Sequence, residues 1–309
     1  MSKFQKDYTE GSVVKQLISF SLPFLFSNLL QALYNVVDMV VVGRYVGPVG
    51  VAGVQTGGQI TMLITNVVTG FVVGATVLVA QYQGAKNTEA QKKTISTLFT
   101  FFFFVSIGIT VVTVLLNGTF LHLLGTEENS FPEAYNYLLC CSFGYVFIFG
   151  YNAVSGILRG MGDSKRPLFF VAVATAANII LDIVFTVFCG MGVFGVALAT
   201  IIGQISSWLF GVYYINKHYE SIHIRLFHFD FDKALFKQAM RLGIPSGIQQ
   251  ALFSIGIMMM QSLVNSYGST FMAGFNGANK IDSFAFMPVQ SFSVAITTYT
   301  GQNVGANNY

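Results

Sequence analysis

Long apolar runs, separated by short polar or charged segments, occupy the chain from about residue 17 to residue 302. A helix rises about 1.5 Å per residue, so about 20 apolar residues cross the hydrocarbon core of a bilayer. The pattern therefore predicts eight membrane-spanning helices. They are expected at residues 17–42, 51–82, 94–116, 135–158, 167–189, 193–215, 242–265 and 271–302.

One long polar stretch, residues 216–241, interrupts this pattern. We interpret it as a cytoplasmic linker between an N-terminal six-helix bundle, residues 1–215, and the first two helices of a second bundle, residues 242–309. Within the linker, residues 227–236 are predicted to form a short interfacial helix with Asp230 or Asp232 near its N-terminus.

The composition supports an all-α, multi-pass membrane protein, because 53% of the residues are hydrophobic and only 9% are charged. Soluble domains carry about 25% charged residues. Nearly all of the 16 Lys and Arg residues fall on one side of the predicted spans, the exceptions being Arg44 and Lys280. This bias predicts a cytoplasmic N-terminus in the cell inner membrane. No basic stripe is interleaved with aromatic residues, so no nucleic-acid partner is expected.

The chain also matches itself at an offset of 221 or 222 residues, which indicates an internal repeat of about six spans plus the linker. Both copies start on the same side, so the repeats are parallel. The second copy ends after two spans, and about eight of an expected twelve helices are therefore present, in a fragment or a truncated gene. The matched pairs include Pro23 with Pro245, Gln81 with Gln302, and Gly84-Ala85 with Gly305-Ala306.

Four ionisable residues lie inside predicted spans: Asp38, Asp182, Asp282 and Lys280. A carboxylate at the centre of a membrane helix costs about 2.5–3.5 kcal/mol on insertion scales, which favours a functional role over a structural polar contact. Asn178 lies four residues before Asp182, so the two side chains share a helix face. Lys280 is a candidate substrate-facing residue.

Asp38 and Asp182 are predicted to form one cation site with Asn178. Their spans run in the same direction, and both acids fall in the outer half of the membrane at similar depth. Sodium would take several hard oxygen ligands, which the two carboxylates and the amide begin to supply. A proton needs only a buried carboxylate beside a like charge. The sequence leaves Na⁺ and H⁺ open.

Catalytic motifs for nucleophilic, metal-dependent or nucleotide-dependent chemistry are missing from the sequence, so no enzyme activity, resident metal or cofactor is expected.

Pro23 in the first span removes a backbone hydrogen bond and is either a hinge or a static kink.

Five motifs together resemble the multidrug and toxic compound extrusion (MATE) family of the MOP superfamily, over the whole chain. They are Leu22-Pro23 with Asp38-x4-Gly43, Gln81-x2-Gly84-Ala85, Leu158-Arg159-Gly160-x-Gly162-Asp163, Asn178-x3-Asp182 and Gly195-x-Ala197-x-Ala199-Thr200. The resemblance implies two six-helix bundles arranged as a V, and export of drugs across the cytoplasmic membrane in exchange for H⁺ or Na⁺. The expected partners are small amphipathic or cationic drugs and the lipid bilayer, with a monomer as the full-length unit.

The same resemblance also indicates a branch of the family. One branch carries an acid eight positions beyond the second proline, where this chain has Phe253, so the chain is more similar to the DNA-damage-inducible F-like branch. The alternative is a flippase for lipid-linked oligosaccharides or other amphiphiles, which would need more basic residues than Lys280 in its cavity.

The same resemblance implies roles for individual residues. The implied cation-binding residues are Asp38, Asn178, Asp182 and Thr200. The implied cavity residues are Gln31, Tyr34, Tyr137 and Asn152, and Pro23 is the implied hinge.

Overall fold

The computed structural model describes residues 7–219, 222, 224, 229–267 and 269–308, with the backbone alone at residues 261–262, 265–266, 269–273, 276–277 and 280. Nine α-helices account for most of these residues. A π-helical turn, Val184–Phe188, extends the sixth helix. The helices are α1 Val13–Tyr45, α2 Pro48–Gly84, α3 Thr88–Leu115, α4 Asn117–Leu123, α5 Phe131–Gly160, α6 Lys165–Ile183, α7 Gly192–His218, α8 Lys233–Ser266 and α9 Ser269–Gly305.

The eight long helices follow the predicted spans in order, and the prediction of an all-α membrane protein is confirmed. Seven of them are long and apolar enough to cross a membrane within the residues searched: α1, α2, α3, α5, α6 with its π turn, α7 and α8. The short helix α4 was not predicted. It begins directly after α3 and is too short for its apolar pattern to stand out from that of the preceding span.

The boundary at the linker differs from the prediction. Helix α8 begins at Lys233 rather than at residue 242, because polar residues continue the same helix. Residues 227–228 lie outside the described part of the structure, and no separate short helix is present over residues 229–236. Asp232 does cap a helix, namely α8, since its Oδ1 accepts hydrogen bonds from the amides of Ala234 at 2.9 Å and Leu235 at 3.0 Å.

Helix α5 is the centre of the first bundle, because it packs against α2, α3 and α7. Its Tyr145, Phe149 and Leu158 side chains are fully buried. Helix α6 packs against α1 and α7 at the edge of the bundle. This arrangement places α1 and α6 side by side, which brings the two halves of the predicted cation site together.

Helices α8 and α9 pack against α2, and α9 also packs against α1. We call the end of the molecule that carries the N-terminus of α1 the basal end, and the opposite end the far end. The basal end also contains the C-termini of α2, α5 and α9, as shown by hydrogen bonds between Tyr8, Gly160 and Gln302. Many large apolar side chains on α8 and α9 are exposed, including Leu252, Phe253 and Ile281.

Candidate functional site

A pair of buried acids lies between α1 and α6 in the half of the bundle nearer the far end. Asp38 on α1 is 7% exposed and Asp182 on α6 is 0% exposed. Their carboxyl groups lie close enough to interact electrostatically. Neither oxygen of Asp182 has a hydrogen-bond partner among the described residues. Two buried carboxylates this close repel each other, so the pair favours a shared proton or another cation.

The amide of Asn178 joins this pair to α7 in either of two orientations. In one orientation Nδ2 donates to Asp38 Oδ1 at 3.1 Å, while Oδ1 accepts from the amide of Thr200 at 3.3 Å. In the other, Nδ2 donates to Thr200 Oγ1 at 3.4 Å and the amide oxygen faces Asp38. The first orientation satisfies the amide with protein groups alone. The first is the favoured orientation, because in the second the amide oxygen faces only acceptors. A cation bound between the carboxyl groups would favour the second, which turns that oxygen towards it.

Local sequence explains why α6 can present these groups so close to its neighbours. Asn178 and Asp182 are four residues apart and therefore lie one turn apart on one face. Gly203 on α7 faces this part of α6, since a Cβ there would make ordinary contact with the Cβ of Asn178 at 3.7 Å. The π turn follows directly after this face, and π turns are frequent at functional sites.

Aromatic and thiol groups line the approach to Asp38. Tyr34, Tyr137 and Cys141 each lie close enough to Asp38 to interact with it electrostatically. Tyr137 and Cys141 lie four residues apart on α5 and therefore share a helix face. The structure therefore brings two of the implied cavity residues, Tyr34 and Tyr137, next to the acid pair.

The other predicted residues lie further along the helices. Gln31 is half-buried on α1, one turn before Tyr34. Asn152 is half-buried on α5 and donates to the carbonyl of Ile148 at 2.8 Å. Asp282 on α9 is exposed, and the side chain of Lys280 lies outside the described part of the structure. A role of Gln31, Asn152 and Lys280 in substrate binding stays a prediction.

Pro23 lies within α1, which continues through it from Val13 to Tyr45. The hydroxyl of Ser27 donates to the Pro23 carbonyl at 3.0 Å, so a side chain bonds to the backbone beside the proline. The next residue, Phe24, lies under the guanidinium of Arg159 at 5.4 Å from the ring centroid. The first contact lies within α1, and the second connects its basal half to Arg159 near the end of α5.

Two buried polar residues beside the acid pair escaped the sequence interpretation. Thr175 lies three residues before Asn178, and Gln204 lies four residues after Thr200, so each extends a face already singled out. Thr175 Oγ1 and Gln204 Oε1 are buried without a hydrogen-bond partner among the described residues. The spacing was a usable signal, although neutral polar residues in membrane helices are too common to stand out alone.

The chemistry available to this group of residues is cation binding. Among the described residues there is no cluster of three His, Cys, Asp or Glu side chains that could hold a metal ion. The acid pair, the amide and the Thr200 hydroxyl instead offer a small set of oxygen atoms with one or two negative charges. Such a set suits a proton or a monovalent cation.

Comparison with known proteins gives consistent matches over the whole chain. A family model described as MatE matches residues 23–184 and 245–309. Its two matched stretches begin at Pro23 and Pro245, the pair that the internal repeat aligns. The chain is 31% identical to the probable multidrug resistance protein YpnP of Bacillus subtilis, covering 98% of this chain and 67% of that protein. It is 30% identical to the probable multidrug resistance protein NorM of Thermotoga maritima, covering 95% and 64%.

Solved structures agree with this assignment. The chain matches the outward-facing conformation of a multidrug resistance MATE family transporter of the MOP superfamily with a TM-score of 0.91 and 25% identity. It also matches a MOP superfamily transporter from Pyrococcus furiosus with a TM-score of 0.91 and 25% identity. Each match covers 100% of this chain and 68% of the solved chain. The chain thus spans about two thirds of the length of the proteins it resembles.

Proposed function

The chain belongs to the MatE family, and from this premise we propose that it is a secondary active multidrug efflux transporter that exchanges H⁺ or Na⁺ for drug across the cytoplasmic membrane. The family consists of membrane transporters rather than enzymes, and this chain is a multi-pass membrane protein of that kind. The proposed substrates are small amphipathic or cationic compounds. The proposed working unit is a monomer with the basal end, where Lys and Arg concentrate, facing the cytoplasm.

The buried acid pair is the observation that carries this proposal. A carboxylate at 0% exposure without a counter-charge is costly, and a second carboxylate beside it adds like-charge repulsion. The pair Asp38–Asp182 therefore has a strong preference for one bound cation over none. A chain that needed only a structural contact between α1 and α6 would achieve it at lower cost with apolar side chains.

Coupling follows from competition for the same negative charge. Asp38 faces Asp182 on one side and lies near Tyr34 and Tyr137 on the other. An ion that neutralises the pair removes the charge that would attract a cationic drug to the two tyrosines. Exchange then requires only that the ion and the drug favour different conformations, since a ligand shifts an equilibrium by its differential affinity for the two states.

The decisive experiment is dye efflux from membrane vesicles in which pH and sodium gradients are imposed separately. In Asp182→Asn the pair loses its shared negative charge, and we expect gradient-driven efflux to disappear. Asp282→Asn is the matched control, because this acid also lies in a predicted span but is exposed on α9. Gradient-driven efflux at the parent rate in Asp182→Asn would refute the proposed site.

The same vesicles distinguish the two coupling ions. Efflux driven by sodium at constant pH would assign Na⁺, whereas efflux driven only by a proton gradient would assign H⁺. Asn178 sharpens the result, because its amide oxygen contributes to sodium binding but not to proton storage. Asn178→Ala should therefore weaken sodium-driven efflux more than proton-driven efflux.

A further inference from the structure

The segment that precedes α1 is buried between the first bundle and α9. Tyr8 is only 3% exposed although it lies outside every helix. Its hydroxyl donates to the Gly162 carbonyl at 3.1 Å, in the turn between α5 and α6. Its backbone amide donates to Gln302 Oε1 at 3.0 Å, and its carbonyl accepts from Asn303 Nδ2 at 3.1 Å. Tyr8 therefore bonds to both structural repeats at once.

Neighbouring groups complete this bridge. Gln302 Nε2 donates to the Gly160 carbonyl at 3.2 Å, which joins α9 to the end of α5 directly. Asn308 Nδ2 donates to the Thr9 carbonyl at 3.1 Å. The end of α9 is thus attached to the α5–α6 turn both directly and through residues 8–9.

The α5–α6 turn offers a fixed partner for Tyr8. Gly162 has a φ of 85°, a left-handed conformation that favours glycine. Asp163 anchors the turn, because its carboxylate accepts hydrogen bonds from the amides of Lys165 and Arg166 and from the Tyr219 hydroxyl, each at 3.2 Å. The Gly162 carbonyl is therefore held in place whether or not Tyr8 is bound to it.

Helices α2 and α9 meet beside this bridge at a crossing without side chains. A Cβ on Gly84 would overlap the Gln302 carbonyl, and a Cβ on Gly305 would overlap the Gln81 carbonyl. The two contacts are equivalent under the internal repeat, which aligns Gln81 with Gln302 and Gly84 with Gly305. Backbone approach this close leaves no passage between the two helices at the basal end.

Tyr8 is also coupled to the helix that carries Asp38. Its ring packs edge-on against Phe20 of α1, with ring centroids 5.8 Å apart and an interplanar angle of 81°. The same apolar cluster includes the buried Ala295 of α9. A movement of the basal half of α1 would therefore pull Tyr8 away from its partners.

We propose that residues 8–9 form a clasp that holds the basal end closed, and that opening of this end requires Tyr8 to leave Gly162, Gln302 and Asn303. The inference rests on the proposed function only in that a transporter must open both ends in turn. The bonds are suited to repeated release, because water replaces each of them when the end opens and their net contribution is small.

The test is a distance measurement between spin labels on the full chain in nanodiscs. The labels replace Lys165 on the first bundle and Val304 on α9, both exposed, with Cys189 replaced by serine. The double variant Tyr8→Phe/Gln302→Met removes the side-chain hydrogen bonds of both residues while keeping their approximate volume. We expect it to add a longer-distance population that the parent lacks. Tyr8→Phe alone should add a smaller fraction of the same population.

Tyr213→Phe is the matched control, because it also removes a tyrosine hydroxyl with one hydrogen bond, accepted from Lys217 Nζ at 3.1 Å, but exposed and within α7. Its distance distribution should equal that of the parent. A double variant with the parent distribution would overturn the clasp. The distance measurement needs neither ion nor drug, so its result is independent of the efflux experiment. An unchanged distance distribution would refute the clasp even if Asp182→Asn abolishes efflux. A longer-distance population would support the clasp even if Asp182→Asn leaves efflux intact.

Discussion

Helices α1 and α8 occupy equivalent places in the two repeats, yet they differ at the position that matters for chemistry. The offset of 222 residues that aligns Pro23 with Pro245 also aligns Asp38 with Met260. Asp38 is 7% exposed and faces Asp182, whereas Met260 is 52% exposed. The comparison teaches that the first repeat carries an acid, beside a second carboxyl and an amide from α6, where α8 carries an apolar side chain.

The basal ends of the two repeats show the opposite relation. Gln81 and Gly84 of α2 make the same backbone crossing with α9 that Gln302 and Gly305 make with α2. The repeat therefore retains its packing geometry at one end while its chemistry differs towards the other. Substitutions that exchange or remove these features test each half of this contrast.

The largest effect is expected from the acid pair. Asp38→Asn and Asp182→Asn should each abolish gradient-driven drug efflux, because the pair then lacks the charge that binds the coupling ion. The measurement is the initial rate of dye efflux at equal protein level in the membrane. Parent rates of efflux in both variants would show that the acid on α1 is not needed for transport. The difference between Asp38 and Met260 would then have no functional meaning.

The next effect concerns the shared crossing. Gly84→Ala and Gly305→Ala should each lower the free energy of unfolding by about 1–3 kcal/mol, because a new methyl group must displace a backbone carbonyl. Gly274→Ala on α9 is the control, since nothing lies within 4 Å of its Cβ, and it should be neutral or stabilising. Thermal unfolding in detergent measures all three. Unequal losses for Gly84→Ala and Gly305→Ala would contradict the symmetric packing.

A smaller effect is expected where α6 supports Asp38. Asn178→Ala should weaken sodium binding about tenfold, which corresponds to about 1.4 kcal/mol, because it removes the amide oxygen proposed as a ligand. Asn35→Ala removes an exposed amide from α1 itself and should leave ion binding unchanged. Equilibrium ion binding by calorimetry provides the comparison. Equal affinities in the two variants would remove Asn178 from the site.

The smallest effect is expected at the counterpart of Asp38. Met260→Leu should change the free energy of unfolding by less than about 0.5 kcal/mol, as is usual for exposed positions without special contacts. Dye efflux and thermal unfolding should both remain at parent values. A loss of efflux as large as that of Asp182→Asn would place a second essential site on α8.

Apolar run length was sufficient to predict the eight long helices, because a membrane span must bury its backbone over a fixed thickness. It did not predict α4, the π turn or the start of α8 at Lys233. These features depend on hydrogen-bond register, which residue hydropathy does not report. Helix ends also extend beyond the apolar core, so hydropathy underestimates helix length.

The candidate site was only partly predictable from the sequence. Helical spacing placed Asn178 with Asp182, and the shared direction of two spans placed Asp38 at their level. The structure brings these three residues and Thr200 together, while their binding of a cation stays a prediction. Thr175, Gln204 and Cys141 were missed, since only packed helices show which neutral polar groups are buried.

The glycine crossing of α2 and α9 has a mechanical consequence. Because its two contacts are interchanged by the repeat, the local two-fold axis that relates α2 to α9 passes between Gly84 and Gly305. With the two backbones in direct contact, no side chain can rotate aside to make room at Gly84 or Gly305. Any separation of the two repeats at the basal end must therefore slide or part whole helices.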